Sequence, residues 1–242
     1  GMLAAELAAH GFTGSPEILE GRKGFFAAMC NDPEPIRILE EPNAAWQLCL
    51  TSIKPWPSCR HTHPIIDCAL EIHQLLDGDR VKEMEIRTYQ AALDVCDYPM
   101  PETEYQAKFS LYHTAAIAVL DGVVGLNSFD DAARQRSEQL RGQTSVTIAD
   151  PYASSYPASW GAEITARTES GASLRISRKD CKGDPELALD NDEMHVKAMG
   201  LLQYGGLDES QARQLCKQVL AMPETAGGSS LFSNFIDHLD ID

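Results

Sequence analysis

Residues 46–88 read WQLCLTSIKPWPSCRHTHPIIDCALEIHQLLDGDRVKEMEIRT, and the order of patterns inside them decides the fold class. Residues 46–53 alternate enough to be a strand. Pro55 and Pro57 then forbid both helix and central strand through residue 60. From about Thr62 the apolar residues Ile65, Ala69, Ile72 and Leu76 recur at helical spacing, Pro64 suits the first turn, and Asp77-Gly78 closes the helix. Residues 81–88 alternate again, with Val81, Glu83 and Glu85 opposite Met84 and Ile86. Strand, helix and strand in that order read as a crossover unit, hence a mixed sheet with packed helices.

Working outward, residues 3–11 read as the last turns of a helix ended by Gly11, without a capped beginning. Such an element fits a chain that starts inside a larger fold and equally an ordinary frayed terminus. Residues 24–30 form a short helix. Thr103 and Gln106 have capping-box spacing for one helix running to Leu120, apolar almost all round from Leu111. A polar helix is expected over 129–140, strands over 145–148, 161–167 and 173–177, and helices over 192–203 and 209–222, the last capped by Asp208. A short docking helix is expected from Leu231 to Leu239.

Composition narrows the function. The chain has 242 residues, 36 acidic and 20 basic, for a net charge of −16. That field repels a phosphate backbone, so nucleic acid is excluded as a partner. No stretch approaches the roughly 20 apolar residues of a membrane span, and no signal peptide opens the sequence. Seven cysteines form no CxxC pair and sit largely in apolar company, as thiols do in a reducing compartment. A cytoplasmic location is expected.

Against so acidic a background, local clusters of cations are informative. KPWPSCRHTHP, residues 54–64, gathers Lys54, Cys59, Arg60, His61 and His63 on a proline-braced turn before a helix. Cations, imidazoles and a helix N-terminus together suit a small anion. Cys59-x-His61-x-His63 matches no common zinc spacing, and no metal is expected. A second group, Lys108, Ser110, Tyr112 and His113, lies within the apolar helix, where polar side chains need partners or a cavity. Lys108 and Tyr112 are spaced to share a face, and a satisfied core histidine is one reading of His113. Arg175, Arg178, Lys179 and Lys182 read as a solvated strand edge. No phosphate loop, nucleophile elbow or dinucleotide fingerprint is present.

Four segments, GFTGSPEILEGRKGF (11–25), KPWPSCRHTHPIIDCALEI (54–72), PETEYQAKFSLYHTAAIAVLDG (101–122) and KGDPELALDNDEMHVK (182–197), together resemble the MmgE/PrpD family. Its members include 2-methylcitrate dehydratase, cis-aconitate decarboxylase and iminodisuccinate epimerase. The resemblance implies an α+β chain corresponding to the family's C-terminal half. Residues 1–14 would end a helical domain, 15–180 would form an α/β lid, and 181–242 would return helices to the helical domain. It further implies a cofactor-independent lyase or isomerase acting on a small di- or tricarboxylate, with this chain inactive alone. A non-catalytic carboxylate-binding or scaffold remnant is the alternative. The implied catalytic residues are Lys54 and His63. The implied substrate-binding residues are Cys59, Arg60, His61, Lys108, Ser110 and His113. Many relatives carry Tyr where this chain has His113, and Tyr112 lies about 100° round the helix from it. The implied partner is a second copy or a separate N-terminal helical half.

Overall fold

The computed structural model describes residues 1–39 and 47–221. The expected helix at Leu231 lies outside them. The chain divides into two compact units at Cys49 and Leu50. In the first, helix α1 (Met2–Ala9) is followed by Gly11 at φ +85°, and helix α2 (Phe25–Met29) follows a turn-rich connector.

Where a strand was expected over 46–53, Gln47–Leu50 is a turn of 3-10 helix and the chain runs on as coil; Trp46 is outside the described residues. The strand–helix–strand crossover therefore does not form. The alternation is too short to hold a strand that no neighbour pairs.

The second unit is built on four strands in the order β2–β1–β3–β4. Helix α3 (His63–Leu75) enters through a 3-10 turn, Arg60–Thr62, and leads to β1 (Val81–Thr88). Helices α4 (Gln90–Cys96), α5 (Glu104–Ala107), α6 (Leu111–Asp121) and α7 (Asp131–Gly142) make the crossover to β2 (Thr144–Ile148). This strand pairs parallel with β1, with Ile86 opposite Val146. After the short α8 (Tyr152–Ser155), β3 (Ala162–Thr168) and β4 (Ser173–Arg178) form an antiparallel hairpin, β3 also pairing antiparallel with β1. Helices α9 (Asn191–Tyr204) and α10 (Glu209–Ala221) follow. The architecture is α+β with a mixed sheet.

Alternation sets the two sheet faces. Met84, Ile86, Ala162, Ile164 and Ala166 are buried with Ile65, Ala69 and Ile72 of α3 and Leu111, Ala115 and Ile117 of α6. Each fully buried isoleucine contributes on the order of 2 kcal/mol. The opposite face carries cross-strand ion pairs, with Glu163 bonded to Arg87 at 3.2 Å and to Arg175 at 2.9 Å. Of the four cations read as a solvated strand edge, Arg175 and Arg178 lie on the edge strand β4, whereas Lys179 and Lys182 follow it and Lys182 pairs with Glu193 at 2.8 Å. Arg178 also clamps α3, reaching Asp67 at 2.7 Å and Glu71 at 2.5 Å.

The single helix expected from Thr103 to Leu120 is two helices. Ser110, at φ −111° and ψ 115°, breaks it and caps α6. Its hydroxyl accepts the His113 N–H at 2.9 Å and donates to the Tyr98 carbonyl at 2.5 Å. Serine competes for backbone groups in this way, and here the competition wins over the apolar pattern. Lys108 and Tyr112 consequently share no helix face. Ser110→Ala is expected to cost about 2 kcal/mol, because it removes both the cap and the hydroxyl's bond to the Tyr98 carbonyl. Urea unfolding midpoints measure it, and a loss within error of zero would show that the break forms without the cap.

Candidate functional site

The turn preceding α3 is fixed at three points. The Ile53 N–H donates to the Gly183 carbonyl at 2.8 Å, the Cys59 N–H to the Lys108 carbonyl at 2.9 Å, and the Thr62 hydroxyl to the Cys59 carbonyl at 2.7 Å. Lys54 donates from Nζ to the Ser58 carbonyl at 3.1 Å while remaining exposed. Proline bracing plus these bonds gives the cationic side chains a defined base without using up their donors.

Arg60 ion-pairs through Nη2 with the buried Asp184 and lies 3.8 Å from the centroid of the Trp160 ring. Burial works against its charge, but the Asp184 carboxylate outweighs burial and raises its pKa. Its Nε is enclosed and without a hydrogen-bond partner among the described residues, and the side chain as a whole is 31% exposed. His61 stacks on the same indole at 4.6 Å and 12°, and its Nδ1 lies 2.8 Å from the Tyr89 hydroxyl. Burial, then the Arg60 charge, lowers its pKa, so the imidazole is neutral near pH 7. Tyr89 follows the C-terminal end of β1, the end of a strand where α/β folds gather ligands.

Cys59 differs from the other thiols. The Cys96 thiol as donor, the His61 backbone N–H and the Lys54 ammonium bring its pKa down to about 6 against the opposing effect of burial. Burial pushes Cys68 and Cys181 up to about 12 instead.

The remaining expected site residues are placed differently. His63 opens α3 but is 1% exposed, edge-on to Trp56 at 5.3 Å, with Nε2 enclosed and unpaired. Burial takes its pKa down to about 4, helped by Lys54. His113 is fully buried, its Nε2 2.8 Å from the Ser128 carbonyl and its Nδ1 3.1 Å from Ser137 Oγ. It is a satisfied core histidine, and burial again lowers its pKa to about 4. Ser110 spends its hydroxyl as the cap of α6, and Lys108 pairs with Glu104 at 2.6 Å. Lys54, Cys59, Arg60 and His61 thus come together at the surface, with Lys108 joined to them through its backbone. Among the described residues no group of three His, Cys, Asp or Glu is arranged to hold a metal, and no helix is long and apolar enough to cross a membrane.

The family model of the MmgE/PrpD C-terminal domain matches residues 56–222, most of the chain. The chain belongs to the MmgE/PrpD family. Over 140 residues it is 27% identical to cis-aconitate decarboxylase of Mus musculus, a match that takes in 53% of this chain and 28% of the mouse protein. The chain therefore spans less than a third of that relative in the matched region.

In this MmgE/PrpD chain the supporting residues Tyr89, Cys96, Trp160 and Asp184 were not singled out by sequence reasoning. Asp184 lies in the KGDP stretch that carries part of the family resemblance, a signal that could have marked it. Trp160 and Tyr89 follow and precede helices far from the turn in sequence, and only tertiary packing brings them to it.

Proposed function

We propose that this chain contributes part of the site of a cofactor-independent lyase or isomerase that acts on small di- or tricarboxylates. Dehydration, decarboxylation and epimerisation of such acids share one difficulty. Negative charge builds on a carbon beside a carboxylate that is already negative. The observation carrying this reading is the convergence of the Lys54 ammonium, the Arg60 guanidinium and the His61 imidazole on one braced turn. Arg60, held by Asp184 and Trp160, offers its part-exposed guanidinium to a carboxylate, and Lys54 supplies a second cation. Cys59, whose thiol is brought down to about 6, is the candidate to take the proton, since His63 is enclosed and Lys54 serves as a cation. Family membership and the decarboxylase relative support a lyase, and groups needed for turnover are expected from a second copy or a helical companion.

Citrate titration followed by NMR tests the reading on this chain. Shifts are expected at Lys54, Arg60 and His61, with affinity no better than about millimolar, near 4 kcal/mol, for an exposed site. Added salt should weaken it. Lys54→Ala and Arg60→Ala should each abolish the response, whereas Lys179→Ala should not. Shifts gathered at Arg178 and Lys182 would move the site away from the turn.

A further inference from the structure

We propose that Tyr89 is a positioning residue that fixes His61 in the tautomer carrying its proton on Nε2, presented as a neutral hydrogen-bond donor to an oxygen of the bound carboxylate. This rests on the carboxylate-binding reading of the turn.

The argument begins with the tyrosine. Tyr89 is 0% exposed, and its hydroxyl has one partner among the described residues, His61 Nδ1 at 2.8 Å. A buried O–H needs an acceptor for its proton. If His61 Nδ1 carried the hydrogen, it would donate to the phenolic oxygen and the phenol proton would be left without an acceptor. The satisfied arrangement has Tyr89 donating to an unprotonated Nδ1, which puts the imidazole hydrogen on Nε2. Burial raises the phenol's pKa above its ordinary range, so Tyr89 keeps the proton it donates while His61 is neutral.

Neither ring is free to turn away. His61 is stacked on Trp160 at 4.6 Å, and Tyr89 on Tyr156 at 4.5 Å, both with planes 12° apart. His61 Nε2 makes no hydrogen bond among the described residues and is not enclosed, so it is available to a ligand. A neutral N–H beside the Arg60 charge donates to the oxygen on which charge grows while adding no second full charge to the stack. It follows that His61 at this nitrogen is a donor and not the base.

The test reads protons on nitrogen directly, on the chain labelled with nitrogen-15 histidine. His61→Gln assigns the His61 signals in a long-range proton–nitrogen correlation spectrum at pH 7.5. The expected result is a protonated, pyrrole-like Nε2 and a lone-pair, pyridine-like Nδ1. Tyr89→Phe should shift both nitrogens toward the averaged values of a tautomer mixture. A protonated Nδ1 in the unsubstituted chain overturns the proposal, whatever the folding of the variant. An unchanged tautomer in folded Tyr89→Phe overturns it equally. Citrate should then perturb the Nε2 proton. Citrate shifts at Lys54 and Arg60 with His61 silent would overturn the donor role while sparing the carboxylate reading. No citrate response anywhere, with Nε2 protonated, would count against the carboxylate reading and still support Tyr89 as the residue that sets the tautomer.

Discussion

Gly183→Ala should destabilise the chain by about 4 kcal/mol, at the upper end of single substitutions. Gly183 sits at φ +92°, and a Cβ built there would lie 2.0 Å from the Ile53 carbonyl oxygen and 2.9 Å from Pro55 Cδ. Backbone cannot yield as a flexible side chain does. The Gly183 carbonyl also accepts the Ile53 N–H, and its own N–H donates to the Leu187 carbonyl at 2.8 Å, so displacement breaks the tie behind Lys54. Gly171→Ala is the control. Its φ is also +92° but nothing lies within 4 Å of the new Cβ, so only backbone strain of about 1 kcal/mol is expected. Denaturant midpoints of the two variants separate strain from collision. Equal losses would mean that the turn before Lys54 adjusts freely, and that the close approach of Gly183 does not hold it.

Acid should unfold the protein well before its carboxylates are all protonated. His63 and His113 have pKa values near 4 in the fold, against an ordinary value of 6.5 that the unfolded chain recovers. Between those values the unfolded chain binds protons that the folded chain refuses, so stability is full above pH 6.5 and falls as the pH drops toward 4. By pH 5 each histidine should account for a loss of about 2 kcal/mol. Two together remove a large part of an ordinary domain's stability. Unfolding midpoints at pH 7.5, 6 and 5 would show the slope, and His113→Gln should roughly halve it while lowering the starting value. A flat profile over that range would mean that both rings take up protons without unfolding.

Much of the fold was legible in the sequence because the signals were local. The alternation of residues 81–88 became β1 without a shifted boundary, the apolar stripe at Ile65, Ala69 and Ile72 is the buried face of α3, and Asp208 caps α10 as its spacing indicates. Where the reading failed, a tertiary partner decided. Residues 46–53 have strand-like alternation but no strand beside them. Ser110 broke a helix that its neighbours favoured, because the Tyr98 carbonyl offered its hydroxyl a second bond. At the candidate site, the clustering of Lys54, Cys59, Arg60 and His61 follows from adjacency. The differing environments of His61 and His63 do not. Two residues apart on the same turn, one stacks on an indole at the surface and the other points into the core, and sequence spacing carries no signal for that difference.

The interruption between α5 and α6 has a consequence for the turn that carries the cations. In an unbroken helix the carbonyl of Lys108 would be taken by the amide four residues on. Because the helix stops there, that oxygen is left over, and it receives the Cys59 amide at 2.9 Å. The turn is thus moored to a vacancy in another element's hydrogen-bond ladder. Evolution cannot tidy the helix without casting off the loop, so a local irregularity that looks like a defect in one element is the anchorage of the other.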